Sequence, residues 1–139
     1  LRDDHCLVRE MLRPLFEREA RAQERLLDLL EREFRTKLRS SVISAAIYGS
    51  LARGQERPAS DIDLLVLVRS TQAKRDVRDA LGRMGETVMR TFGNPLALYV
   101  NTVQEAQRKA RRGLPVFRNI LRDHQLLWGR PLNEVLHGR

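Results

Sequence analysis

A chain of 139 residues is about one domain's worth of polypeptide, and 42% hydrophobic with 32% charged residues is the balance of a folded protein with a real core. No apolar run approaches the roughly 20 residues of a membrane-spanning helix, and Leu1-Arg2-Asp3-Asp4-His5-Cys6 has no secretory-signal character. A lone cysteine, Cys6, cannot close an internal disulfide, so no membrane and a cytoplasmic location are expected. The net charge of +8 is carried largely by arginine, whose forked donors suit phosphate; it fits nucleotide or nucleic-acid partners and equally serves solubility.

Residues 1–13 hold scattered apolar positions, and Pro14 stands where a helix can begin. From Leu15 to Leu38 the apolar residues Leu15, Phe16, Ala20, Leu26, Leu27, Leu30, Phe34 and Leu38 recur mostly at three- and four-residue steps. That spacing predicts one long amphipathic helix, with Glu17–Arg21 and Glu31–Arg35 as (i, i+4) pairs. Its stripe needs a cover, either the domain's own sheet or a second subunit, and a protein partner or homo-oligomer through helix 15–38 is one expectation. Ser40-Ser41 ends the pattern. Val42–Tyr48 and Ile62–Val68 read as buried strands, separated by Gly49-Ser50-Leu51-Ala52-Arg53-Gly54 and a loop containing Pro58. Ser50 is placed to cap a short helix stopped by Gly54.

A second amphipathic helix is predicted from Thr71 to about Thr91, stopped at Phe92-Gly93-Asn94-Pro95. Leu96–Val100 is a third strand. Thr102, with Glu105 three residues on, has the form of a capping box for a helix to Arg112. Its basic run, Arg108-Lys109-Ala110-Arg111-Arg112, is read as a solvated face or as a surface for phosphate. Val116–Arg122 is a short helix, Gln125–Trp128 an extended piece and Leu132–Leu136 a last helical turn. Phe117 and Trp128 are expected in the core, with Tyr48 at a strand end. His5, His124 and His137 show no metal spacing. The order fits an α+β domain, a short mixed sheet flanked by helices, with residues 1–40 as an N-terminal helical segment and 41–139 as the sheet-bearing unit.

The chemistry concentrates at Asp61-Ile62-Asp63. Residues two apart on extended backbone share a face, so two carboxylates enter one small volume and repel unless they share a proton or a cation. A hard divalent ion is the usual solution. Phosphatases of the haloacid dehalogenase type and many sugar transferases carry Asp-x-Asp after an apolar strand. Here the pair opens the strand, which argues against both. The remaining arrangement is Gly-Ser, a gap of roughly ten residues, then Asp-x-Asp leading into a strand. Gly49 admits a phosphate close to the backbone, amides at the Ser50 helix supply donors, and Arg53 can reach the outer phosphates.

Gly49-Ser50-Leu51-Ala52-Arg53-Gly54 followed by Ser60-Asp61-Ile62-Asp63-Leu64-Leu65-Val66 strongly resembles the DNA polymerase β-type nucleotidyltransferase superfamily, above all its small bacterial and archaeal minimal nucleotidyltransferases. The resemblance implies an α+β fold and transfer of a nucleoside monophosphate from a nucleoside triphosphate, foremost ATP, to a hydroxyl, with release of pyrophosphate. It places nucleotide binding on Gly49, Ser50, Arg53 and Gly54, and catalysis and Mg²⁺ binding on Asp61 and Asp63. More weakly, the start of the long helix resembles bacterial fusions of a winged-helix DNA-binding domain to such a transferase; nucleic acid would then be bound by a part upstream of Leu1.

The superfamily uses a third carboxylate on a later strand. Leu96-Ala97-Leu98-Tyr99-Val100 contains no acid, whether Ala97 and Tyr99 or Leu96, Leu98 and Val100 face the site. Glu105 is better read as a cap than as a displaced ligand, and Glu86 is poorer still. Three readings follow: an active transferase working with two aspartates plus a substrate-supplied or displaced group, a nucleotide-binding regulatory domain that has lost turnover, or a structural or partner-binding domain with an unrelated use of the acids.

Overall fold

A computed structural model describes residues 21–49, 52 and 61–137. Helix α1 covers residues 21–36, followed by β1 (Val42–Tyr48), β2 (Ile62–Val68), α2 (Thr71–Phe92), β3 (Leu96–Thr102), α3 (Val103–Arg111), α4 (Pro115–Arg122), β4 (His124–Gly129) and α5 (Leu132–Leu136). Among the described residues the predicted elements form nearly where their periodicity put them. The strands join in the order β3-β2-β1-β4. β2 and β3 run parallel through the α2 crossover, while β1 is antiparallel to both β2 and β4. This is the mixed sheet with flanking helices expected from the sequence.

Because side chains alternate across a strand, the two sheet faces collect different residues. On the first face Val42, Ala45, Ile47, Ile62, Leu64, Val66, Val68 and Val100 meet α1 and α2. From α1 come Leu26, Leu30 and Phe34, an (i, i+4, i+8) stripe, and Leu38 follows just beyond the helix. The described turns of α1 thus cover the domain's own sheet. The expectation of a partner on this helix loses its apolar stripe for residues 21–38; the part from Leu15 to Ala20 lies outside the described residues. Glu31 and Arg35 form the expected pair at 3.7 Å.

The second face carries Ala46, Leu65 and Leu67, sealed by Ala106 of α3, Phe117 and Ile120 of α4, and Leu132, Val135 and Leu136 of α5. Phe117 is fully buried, as expected. Trp128 is half-buried and packs against the first cluster. The turn ending α2 depends on Gly93, which adopts φ +76° so that its N–H reaches Met89 O at 2.9 Å.

Candidate active site

The chain ends that matter all meet at one end of the sheet. β1 ends at Tyr48, β2 begins at Ile62, β3 at Leu96 and β4 at His124. In register, Ala97 stands beside Asp63, Asp63 beside Tyr48, and Tyr48 beside His124. Neighbours in register share a face, so this row lies on the second face, that of Tyr48 and Leu65. Ile62 N–H donates to Pro95 O at 2.8 Å and pins the start of β2 to the start of β3. Asp61, one residue before β2, is exposed, whereas Asp63 is half-buried.

Gly49 follows Tyr48 directly, at φ +74°. A Cβ on this residue would stand 2.2 Å from Asp63 Oδ2 and 3.2 Å from its Cγ. No side chain fits there, so the backbone leaving β1 passes immediately against the carboxylate. The Gly49 and Asp63 halves of the motif, fourteen positions apart in sequence, are brought into contact. Ser50, Arg53 and Gly54 lie outside the described residues, as does the short helix expected after Ser50.

Tyr48 is a half-buried phenol whose pKa is pushed up to about 12 by burial first, then by the Asp63 carboxylate and by Tyr99. It stays a neutral O–H at physiological pH. Tyr99 stacks at a tilt on Phe117, with ring centroids 5.9 Å apart. Lys109 Nζ lies 4.9 Å above the Tyr99 ring centre, donates to Tyr99 Oη at 3.1 Å and donates to Asn101 Oδ1 at 2.6 Å. Asn101 is fully buried, and its Nδ2 has no hydrogen-bond partner.

The register resolves which side of β3 faces the site. Leu96, Leu98 and Val100 belong to the first core, so Ala97, Tyr99 and Asn101 look toward Asp63's side. None is an acid. Glu105 is no substitute: it lies past Thr102, about eight residues from Ala97 and at the opposite end of β3. There it completes the expected capping box with Thr102 and bonds Lys74 Nζ through both carboxylate oxygens at 3.1 Å. Among the described residues no three His, Cys, Asp or Glu side chains gather closely enough to hold a metal ion. A groove of about 680 Å³ opens between α2 and β3, lined by Leu81, Glu86, Met89, Leu96 and Leu98 among others; it lies on the other face, which takes Glu86 away from the acid pair.

Asn101 was not named by sequence reasoning, Tyr99 entered only as one of the alternative site-facing slots of β3, and Lys109 only as a member of the basic run. The basic run 108–112 divides in the structure: Arg108, Arg111 and Arg112 are exposed and Lys109 turns inward. One signal was present, since Lys109 lies three residues after Ala106, the buried position of α3, and so shares its side of the helix.

The nucleotidyltransferase domain pattern matches residues 27–121, well over half of the chain. The chain belongs to the nucleotidyltransferase domain family. A bifunctional uridylyltransferase/uridylyl-removing enzyme of Pseudomonas putida is 32% identical over 110 residues, covering 79% of this chain and 12% of that protein. Its counterpart in Pseudomonas entomophila is 32% identical over 92 residues, covering 66% and 10%. The chain therefore spans about one eighth of the length of these curated relatives. Among solved structures, a spectinomycin adenyltransferase from Enterococcus faecialis with ATP and spectinomycin superposes with a TM-score of 0.59 at 16% identity, over 81% of this chain and 59% of that one. A toxin–antitoxin structure with AMP-PNP gives 0.50 at 13% identity, over 81% and 82%. At such identities the likeness speaks for the fold. The nucleotidyltransferase domain and its fold are thus as the sequence led one to expect, and no helix among the described residues is long and apolar enough to cross a membrane.

Proposed function

We propose that this nucleotidyltransferase domain binds a nucleoside triphosphate, foremost ATP, with Mg²⁺ and transfers its nucleoside monophosphate to a hydroxyl, releasing pyrophosphate. The observation that carries this reading is the contact of Gly49 with Asp63. A backbone that no side chain can occupy runs against a carboxylate, which is the geometry for holding a phosphate chain and its counter-ion together.

In this reading Asp61 and Asp63 hold Mg²⁺, which typically takes one or two carboxylates with substrate phosphates. When bound, the ion would neutralise charge on the triphosphate as pyrophosphate leaves. Gly49 and Ser50 would offer backbone amides to the phosphates, and Arg53 and Gly54 are assigned to nucleotide binding with them. Tyr48, a neutral O–H beside Asp63, is placed to donate to a phosphate or an acceptor oxygen. The donor set fits one metal ion. A second would need an acid facing the pair, and Ala97 stands there.

The acceptor is brought by the rest of a larger protein or by a separate partner. Support for such incompleteness comes from the relatives, of whose length this domain covers about 12%.

The test is incubation with Mg²⁺ and labelled ATP or UTP, alone and with candidate acceptors, alongside Asp61→Ala with Asp63→Ala. Pyrophosphate release is expected from the native protein, and the double variant should fall at least 1,000-fold and lose Mg-nucleotide binding. Nucleotide binding with no pyrophosphate release across all acceptors would leave a regulatory nucleotide-binding domain instead. Binding unchanged by the double substitution would overturn both readings.

A further inference from the structure

We infer that the exposed face of α3 and α4 binds the phosphodiester backbone of a single-stranded nucleic acid, and that the hydroxyl at the end of that strand is the acceptor of this domain. The acceptor assignment rests on the transferase reading of Asp61 and Asp63 given above, whereas the binding surface stands without it. From Ala106 to Arg122 the sequence holds six basic residues, and all 18 acidic residues of the chain lie outside this stretch. Lys109 turns inward onto Asn101 and Tyr99. Arg108, Arg111, Arg112 and Arg118 are exposed, and among the described residues no carboxylate forms an ion pair with any of them. Arg122 is held by Asp123 at 3.1 Å. Four guanidinium groups are left, each with forked donors matched to phosphate oxygens.

The fold brings this face back to the acid end of the sheet. Helix α3 starts at Thr102, at the end of β3 away from Asp63, and the contacts of Lys109 with Asn101 and Tyr99 require it to run back along that strand. By Arg112 the helix has covered about 15 Å, close to the roughly 17 Å from Thr102 back to Ala97, the residue beside Asp63. Helix α4 then crosses the strands. Its Phe117 ring lies against Tyr99 of β3. Its Ile120 O accepts from Nδ1 of His124, the first residue of β4 and the register neighbour of Tyr48. The row Ala97, Asp63, Tyr48 and His124 is therefore bordered by the end of α3 and by α4, which expose Arg111, Arg112 and Arg118.

An acidic protein partner would need more than charge. Interfaces between proteins gather aromatic and aliphatic side chains at their centre and are depleted of charge there. Among the described residues only one exposed large apolar side chain, Leu114, belongs to the α3–α4 stretch. A phosphodiester strand asks for no apolar centre, because its backbone is held by cationic side chains whatever its bases. It also ends in the group the reaction needs. The terminal sugar hydroxyl oxygen bonds to the α-phosphorus of the nucleoside triphosphate. The bond from that phosphorus to the oxygen bridging to the β-phosphorus breaks, its electron pair leaving on pyrophosphate, and the hydroxyl proton passes to water. The strand grows by one nucleotide.

The experiment uses the full chain with a short single-stranded RNA labelled at its 5′ end, the same sequence as DNA, and an oligoglutamate peptide. Binding is read by fluorescence anisotropy over a salt series without nucleotide or Mg²⁺, which keeps this arm independent of the two aspartates. Both strands should bind and weaken as salt rises. Arg108→Gln with Arg111→Gln and Arg112→Gln should weaken binding at least 10-fold and lower the salt slope by about 2, since each phosphate contact on a single strand contributes about 0.7. Lysine at the same three positions should restore most of the slope, and circular dichroism should show all these variants folded. With Mg²⁺ and ATP added, a strand with a free 3′ hydroxyl should lengthen on a gel, and one blocked there should bind without lengthening. Binding that ignores salt or the three substitutions, or that is tighter for oligoglutamate, overturns the inference. A strand bound through these arginines but never extended, while the protein transfers to another acceptor, overturns the acceptor assignment. The same binding by a protein that releases no pyrophosphate with any acceptor supports the surface and sinks the transferase reading instead.

Discussion

The two faces of the sheet are sealed by helices in unlike ways. On the first face α1 and α2 lay Leu26, Leu30, Phe34, Val77 and Leu81 over branched and leucine side chains. On the second face α3, α4 and α5 cover only part of the surface with apolar residues. Toward the end where the chain turns at Gly49, that face gives way to Tyr48 and Asp63, and Tyr99, Asn101 and Lys109 carry a polar strip along β3 away from that end. Burying polar groups costs stability unless each is partnered, and Asn101 Nδ2 is not. The difference separates two tasks. One face holds the domain together, and the other spends part of that stability on a site.

The largest effect on stability should therefore come from the first face. Phe34 is fully buried at the centre of the α1 contact. Phe34→Ala should cost about 3–5 kcal/mol, read as a fall in the urea midpoint, while the affinity of whatever remains folded for Mg-nucleotide stays unchanged. If nucleotide affinity collapses while the folded fraction holds, the two faces are not separable and the comparison fails.

Much of the frame could be read in the sequence, and the reasons are local. Val42–Tyr48 and Ile62–Val68 are apolar runs between polar borders, Gly93-Asn94-Pro95 stops α2, and Thr102 with Glu105 announces α3. The acid pair was visible only as a spacing, and the approach of Gly49 to Asp63 came from the fold. What could not be read depends on contacts between distant segments. Leu96–Val100 is apolar on both sides, so no alternation revealed that Ala97, and not Leu96 or Leu98, stands beside Asp63. That followed from strand register. The 15–38 stripe could have met a subunit or a sheet, and docking decided it for the described turns. Lys109 looked like its arginine neighbours, since only the rotation of α3 over β3 sets it apart.

A smaller effect should appear where the faces meet the site. Gly49→Ala forces a side chain into φ +74° and a Cβ onto Asp63 Oδ2. The backbone cost is about 1–3 kcal/mol, a thermal shift well below that of Phe34→Ala. Activity should suffer far more than stability, because the carboxylate must move aside; at least a 100-fold loss of transfer is expected, read by pyrophosphate release. A variant that keeps its activity would show that the close approach of Gly49 to Asp63 is packing alone.

The smallest effect lies at the far end of β3, where Glu105 ties α3 to α2 through Lys74. Burial alone would raise the Glu105 pKa, but the Thr102 backbone N–H, the Lys74 ammonium and the Thr102 hydroxyl together outweigh it and hold the carboxyl below its ordinary 4.5. The sign follows from linkage. The folded state binds the proton less tightly than the unfolded chain, so the contribution is complete above 4.5 and fades as pH falls through the lower folded value. Glu105→Gln keeps an acceptor for the Thr102 N–H and loses the charge facing Lys74, a pair only partly exposed. It should cost less than about 1 kcal/mol at neutral pH, and the melting temperatures of native and variant protein should converge in acid well below 4.5. Because this pair stands at the end of β3 away from Asp63, Mg-nucleotide affinity should not change with it. A Glu105→Gln variant that lost metal binding would move the third carboxylate to Glu105.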